Sequence, residues 1–257
     1  MEKGICLLSL VPLRAGPSST SELVTQLLFG ESYEIIERHN DWVKITTTSE
    51  NYIAWISQNQ VSAWDQSSEN VLLLRNFPFT IASNQINNTP LYLLPGSILH
   101  NLKFDVSAST FEINQNVYDI SLGLDDIRSL HFQEIGLYAT LFLKSPYLWG
   151  GRSMWGIDCS GYTQLVYKAI GVQLPRDAYQ QAECGQFVDF VNESKLGDLA
   201  FFENESGKIS HVGMILEPGE IIHSSGMVRR DVIDSYGIFD EKLGKHTHKL
   251  KCVKRII

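Results

Sequence analysis

The chain reads as an α+β protein in which a helix bearing a cysteine packs on an antiparallel sheet, preceded by one or two small all-β barrels. Three observations lead there. Short runs of β-branched and aromatic residues, punctuated by turn residues, fill residues 1–124. One apolar stripe at three- and four-residue steps follows Cys159. Two later strand-like runs each carry a histidine, His211 and His223.

Taken in order, the apolar run 5–11 breaks at Pro12 and flows into Leu13-Arg14-Ala15-Gly16-Pro17. A secretory signal needs a basic start, a longer apolar core and a small-residue cleavage site, so a first strand and turn is the better reading. Further strands are expected at 24–29, 32–37, 41–46 and 52–56, completing a first region, 1–62. Short strands in even spacing suit a small barrel, because closure removes exposed edges. A second region, 66–124, carries expected strands at 70–75, 90–94, 97–99 and 110–120, with a loop at 84–89 and a turn at Pro95-Gly96.

Asp125-Asp126 opens the third region, 125–257, with a helix expected over 127–144 whose packed face carries Ile127, Leu130, Ile135, Tyr138, Leu141 and Phe142. The stripe Tyr162, Leu165, Val166, Ala169 and Ile170 predicts a second helix starting at Cys159, and Gly171 supplies its stop. Asp158 stands where an N-cap belongs. Free amides and the positive end of the helix dipole favour a thiolate at Cys159. A buried structural cysteine is the alternative, and the polar neighbours Asp158, Ser160 and Gly161 argue against it.

Residues 192–195 read as polar loop, and Gly197-Asp198-Leu199-Ala200-Phe201-Phe202 leads into a sheet. His211 begins one strand and His223 sits in the next, with Pro218-Gly219 as the turn between them. Strands joined by a tight turn lie side by side, so both imidazoles reach one site. One accepts the thiol proton and the other fixes its tautomer through a ring hydrogen bond. The last strand is expected at 250–257.

Composition fits a compact enzyme. The 257 residues are 44% hydrophobic and 11% aromatic, enough to bury a core. A net charge of −8 opposes nucleic-acid or anionic-membrane surfaces, and neither is expected as a partner. Cys6, Cys159, Cys184 and Cys252 show no metal-type spacing and read as free thiols, with a Cys184–Cys252 bridge left open. His100, His131, His246 and His248 lie near no cysteine or carboxylate set that suggests zinc, so no metal or cofactor is expected. The chain as given is expected in the cytoplasm, or outside it if a leader was removed, and as a monomer.

The stretch Tyr147-Leu148-Trp149-Gly150-Gly151, then Asp158-Cys159-Ser160-Gly161-Tyr162, then His211-Val212-Gly213 and His223, resembles the NlpC-type peptidases, papain-like enzymes that cut cell-wall peptides. The resemblance covers roughly the last half of the chain. It implies Cys159 as nucleophile, His211 as general base and His223 as the residue orienting that base. Leu174-Pro175-Arg176-Asp177 resembles the family's loop that walls the cleft. In the first region, residues 11–17, 28–31, 42–45 and 53–56 resemble a bacterial SH3-like domain; the second region resembles one only weakly.

Relatives with this domain order resemble endopeptidases that recycle murein peptides, cleaving between γ-D-glutamate and meso-diaminopimelate or lysine, often behind a free N-terminal L-alanine. The resemblance therefore implies L-Ala-γ-D-Glu-diamino acid as the partner. By matched position Tyr147, Asp158 and Ser160 would hold its ammonium, with Glu31 from the first SH3-like domain and Tyr52 or Trp55 on another side. Each has a plainer role: Asp158 as a cap, Ser160 as a helix starter, Tyr147 and Trp149 as core aromatics, and Glu31 as an exposed turn residue. Arg152 and Trp155 either line the cleft or shape it. The competing readings are a less selective wall hydrolase or amidase, and a non-catalytic wall-binding protein.

Overall fold

The computed structural model describes residues 2–64, 68–105, 108–123, 126 and 130–257. The chain forms two compact units, Met1–Ser129 and Leu130–Ile257.

In the first unit, strands β1 (Lys3–Ile5), β2 (Leu10–Arg14), β3 (Leu23–Leu28), β4 (Ser32–His39), β5 (Trp42–Thr47) and β6 (Ile53–Ser57) pair antiparallel in the order β1-β4-β5-β6-β2-β3. Alternation decides their faces: Tyr33 and Ile35, Val43 and Ile45, and Ala54 and Ile56 point into one core with Val11, Leu13 and Leu27. Then come β7 (Val71–Leu73), β8 (Thr80–Asn84), β9 (Pro90–Leu93), β10 (Ile98–His100), β11 (Ser109–Ile113) and β12 (Asn116–Ile120). β7 pairs with β10, and the other four form a sheet in the order β11-β12-β8-β9.

One expectation is corrected here. The single strand at 110–120 is a hairpin, because Asn114 and Gln115 adopt φ of 47° and 61° and fold the chain back. β8 had no expected counterpart. The regions 1–62 and 66–124 lie in one compact unit, and Ile5 and Phe29 share an apolar cluster with Leu93, Phe111 and Tyr118.

The second unit begins with a 3₁₀ turn, Phe132–Glu134, and helix α1 (Ile135–Thr140). The helix expected over 127–144 is thus much shorter; its residues 127–129 lie outside the described residues. His131 and Glu134 form a capping box that sets the start of the turn, and Lys144 has left the helix at a φ of 70°. Ile135, Tyr138 and Phe142 are buried as expected, whereas Leu141 is 42% exposed.

A small hairpin, β13 (Arg152–Ser153) and β14 (Gly156–Ile157), leads into α2 (Cys159–Ala169), and α3 (Ala178–Gln181) follows. Next come β15 (Gln186–Val188), β16 (Leu199–Glu203), β17 (Ile209–Glu217), β18 (Glu220–Ser225), β19 (Met227–Ile233), β20 (Gly237–Asp240) and β21 (Lys245–Arg255). They form one antiparallel sheet, β15-β21-β16-β17-β18-β19-β20, and β21 also pairs with β20, so six strands make a continuous ring. β15, β19 and β20 had no expected counterpart, and the last strand starts at Lys245 rather than 250. The expected loop at 192–195 overlaps a 3₁₀ turn, Val191–Glu193.

The apolar stripe of α2 is buried, with Tyr162, Leu165, Val166 and Ala169 packed in and the helix seated against β17 and β18. Gly171 closes it at a φ of 84°. Thr163 and Gln164 are buried too. The Thr163 hydroxyl donates to Gln181 Oε1 and Gln164 Nε2 to the Leu174 carbonyl, so the polar side of the helix is enclosed with its donors bonded. Among the described residues no helix is long and apolar enough to cross a membrane. All four cysteines are free.

The first turn of α2 fits tightly against the preceding loop: a Cβ on Gly161 would stand 2.4 Å from the Gly151 carbonyl oxygen. That neighbour is backbone, which has little room to adjust. Gly161→Ala should lower stability by roughly 1–3 kcal/mol, read as a shift of the urea midpoint at unchanged slope; an unmoved midpoint would show that the loop yields freely.

Candidate active site

Cys159 is the first residue of α2, 5% exposed. The Asp158 cap forms as expected, with the Gly161 N–H donating to Oδ1 at 2.7 Å. Asp158 also does more than cap. Its Oδ2 accepts from the Gly150 N–H at 2.9 Å, and the Arg176 guanidinium donates to Oδ1 at 3.1 Å and Oδ2 at 2.6 Å. Arg176 reaches Ser160 Oγ at 2.9 Å as well. One carboxylate therefore ties together the Gly150 loop, the helix start and the Leu174–Asp177 segment.

The sheet supplies the bases. Phe202 pairs with His211 across β16 and β17, and Gly213 pairs with His223 across β17 and β18. Residues opposed in a ladder share a face, so His211 and His223 stand on one side, with Ala200, Phe202, Ile215 and Ile221 further along it. His211 Nε2 lies 2.8 Å from His223 Nδ1, and His223 Nε2 lies 2.8 Å from Asp231 Oδ2 on β19. Two bonds stitch the nucleophile's segment to these strands. Ser224 Oγ donates to the Ile157 carbonyl, and the Tyr147 N–H donates to the Gly226 carbonyl. The Cys159 sulfur sits in hydrogen-bonding reach of the Val212 amide, directly beside His211 in the chain.

Burial governs the electrostatics. It pushes the Cys159 thiol up to about 12, helped by the Asp158 charge and opposed by the Val212 and Ser160 amides and Arg176. It also holds His211 well below 6.5, with the neighbouring His223 and His248 acting in the same direction. The pull of the helix start toward a thiolate is thus opposed by burial. Burial therefore works against an isolated charge on either group, and the proton between them is the one that catalysis moves.

Tyr147, half-buried, has its hydroxyl pushed up to about 12 by burial and by the charges of Cys159 and Asp158, which places it beside both. Ser160 is buried, with its hydroxyl held by Arg176 and 3.4 Å from Asp158 Oδ1. Arg152 is buried, whereas Trp149 and Trp155 are more than half exposed. In the first unit Glu31 is 3% exposed, not an exposed turn residue, and its Oε2 accepts from the Leu28 N–H. Tyr52 packs against the core of the six-stranded sheet. Trp55 lies on the outer side, with Lys44 Nζ 5.7 Å from its ring centre and the His39 ring edge-on.

Three residues were not anticipated in these places. His248 on β21, set aside in the sequence, stacks on His211 with ring centres 4.3 Å apart. Asp231 ends the imidazole chain, and Arg176 pairs with Asp158. Only Arg176 stood in a stretch that had been singled out; Asp231 and His248 meet the site through strand pairing, which leaves no local pattern. Among the described residues no group of three or more His, Cys, Asp or Glu is arranged to hold a metal ion.

A thiol at a helix start, set against an antiparallel sheet whose strands carry linked imidazoles, defines a papain-like cysteine peptidase. Residues 144–245 match the NlpC/P60 family and residues 13–61 a bacterial dipeptidyl-peptidase SH3 domain. The chain is 31% identical over 228 residues to the gamma-D-glutamyl-L-lysine dipeptidyl-peptidase of Bacillus subtilis (strain 168), covering 82% of this chain and 75% of that protein. It is 28% identical over 243 residues to dipeptidyl-peptidase 6 of Lysinibacillus sphaericus, covering 86% and 87%. A crystal structure of an NlpC/P60 family protein from Bacillus cereus ATCC 10987 shares the fold, with a TM-score of 0.84 at 22% identity over 99% of each chain. The chain belongs to the NlpC/P60 family of cysteine peptidases.

Two predictions follow from the charges. Removing Arg176 leaves Asp158 buried and unpaired, so Arg176→Ala should cost about 3–5 kcal/mol, measured by urea unfolding. Burial also holds His248 down at about 4. The unfolded chain takes protons on both His211 and His248 once pH falls below 6.5, while the folded chain does so only further down. Stability should therefore fall as pH drops from 6.5 toward 4, and His248→Gln should flatten the pH dependence of the urea midpoint.

Proposed function

We propose that this peptidase cleaves peptidoglycan peptides at the bond between γ-D-glutamate and a diamino acid, lysine or meso-diaminopimelate, releasing an N-terminal dipeptide in murein-peptide recycling. The observation that carries the reading is the Cys159 sulfur set beside the His211–Val212 peptide while His211 is chained to His223. The substrate class comes from relatives named as gamma-D-glutamyl-L-lysine dipeptidyl-peptidases.

In this mechanism His211 takes the proton from Cys159, and the thiolate attacks the γ-glutamyl carbonyl. The Cys159 N–H, free at the helix start, meets the developing oxyanion. Protonated His211 gives its proton to the departing amine of the diamino acid, and water then hydrolyses the thioester. His223 orients His211 throughout. Tyr147, Asp158 and Ser160 hold the free ammonium of the substrate, with Arg176 fixing the carboxylate and the hydroxyl in place.

Incubation with L-Ala-γ-D-Glu-L-Lys, its meso-diaminopimelate counterpart and their N-acetylated twins, read by mass spectrometry, tests this. Cleavage is expected only of the free-amine peptides, and Cys159→Ala should abolish it while leaving the fold intact. Equal cleavage of acetylated peptides would overturn the ammonium gate, and activity surviving in Cys159→Ala would overturn the nucleophile.

A further inference from the structure

We propose that Asp231 is a positioning residue for the general base, fixing the tautomers of both active-site imidazoles through a chain of hydrogen bonds that runs from β19 to β17. The proposal rests on Cys159 and His211 being the reacting pair. Asp231 is built for such a role. Its side chain is 7% exposed, with Oδ2 at 2.8 Å from His223 Nε2 and Oδ1 at 2.5 Å from Arg229 Nη2. Arg229, on the same strand, in turn reaches Asp240 Oδ2 on β20 at 3.0 Å, so the carboxylate is held by β18 directly and tied to β20 through Arg229.

The direction of each bond follows from Asp231. A carboxylate only accepts, so His223 Nε2 carries a hydrogen and donates to it. In neutral His223 the Nδ1 atom is then a bare acceptor. It faces His211 Nε2 at 2.8 Å, so that nitrogen must carry the donated hydrogen. Nδ1 of His211 is left as the lone pair available to the Cys159 thiol. When that thiol gives up its proton, the S–H bond breaks and an N–H bond forms at His211 Nδ1. The imidazolium so produced donates through Nε2 into His223, and its charge is compensated by Asp231 at the far end. The proton leaves later from Nδ1 to the departing amine, and the chain returns to its starting tautomers.

Without the carboxylate, His223 Nε2 has no anion to hold its hydrogen, and both imidazoles can adopt the tautomer that hides the base. The other groups facing Asp231 do not replace it. His248 is a further imidazole, pressed against His211 and 5.5 Å from His223 between ring centres. Arg229 and Arg230 are cations. Glu217, Glu220 and Glu241 border the hollow on the outer side of Asp231, and Glu220 pairs with Arg230. Asp240 pairs with Arg229 and not with either imidazole.

The test reads the thiol directly and needs no peptide. Iodoacetamide labelling of Cys159, followed by mass spectrometry of its peptide across a pH series, should show the Asp231→Asn profile displaced toward alkaline pH. Labelling at neutral pH should fall at least roughly tenfold, with Asp231→Glu restoring part of it. A role confined to joining β18 and β19 would lower the melting temperature and leave the profile where it is, which would overturn the proposal. Should Asp231→Asn not fold, nitrogen-15 NMR of the wild-type imidazoles decides the matter: hydrogens on Nε2 of both His211 and His223 are expected, and one on His223 Nδ1 would refute the chain. A wild type that cleaves none of the four peptides, with the Asp231→Asn profile still displaced from its own, would remove the substrate reading and keep this one.

Discussion

The site depends first on the buried pair between Asp158 and Arg176. Its distances are 2.6 and 3.1 Å, and both side chains are almost fully enclosed. An isolated carboxylate at such a position would be strongly disfavoured, so the cap of α2 is available only because Arg176 and the Gly150 and Gly161 amides share its charge. Those partners come from three separate segments. The carboxylate that starts the helix is therefore also the point where the loop before the nucleophile and the segment after the helix converge.

Around that point the chemistry is set by exclusion of water. The same burial raises the thiol and depresses the imidazole, so an isolated charge on either is disfavoured. His248 and Phe202, both against His211, complete this dry surround. Polar direction is then supplied from one side only, through the line of ring nitrogens that leads from His211 to His223 and Asp231. A closed ring of strands suits this arrangement, since it brings β16 through β21 around the same few side chains.

The first unit is built on different terms. Its cohesion comes from aromatic and aliphatic packing, with Phe111 and Tyr118 stacked 4.9 Å apart and Phe29 edge-on to Phe111 at 5.7 Å. Phe29 follows directly on β3 of the six-stranded sheet, while Phe111 and Tyr118 belong to β11 and β12. A long stretch of chain separates Phe29 from Phe111, and burial is blind to that separation.

What the sequence determined by itself was whatever depends on neighbours along the chain. The period of α2, its Asp158 cap, the Gly171 stop and the strands of the first sheet are all of that kind, since capping and alternation act within a few residues. The placement of Cys159, His211 and His223 on a helix start and two adjoining strands belongs here too. Tertiary structure alone decided the rest. The hairpin at Asn114-Gln115 needed a partner strand to reveal it, and the short α1 is held by packing of Phe142 against Tyr138 and Tyr162. Asp231, Arg176 and His248 reached the site through ladder pairing and a buried ion pair. Such contacts join residues far apart in the chain, and hydrogen bonds between strands carry no periodic trace in either partner's local sequence.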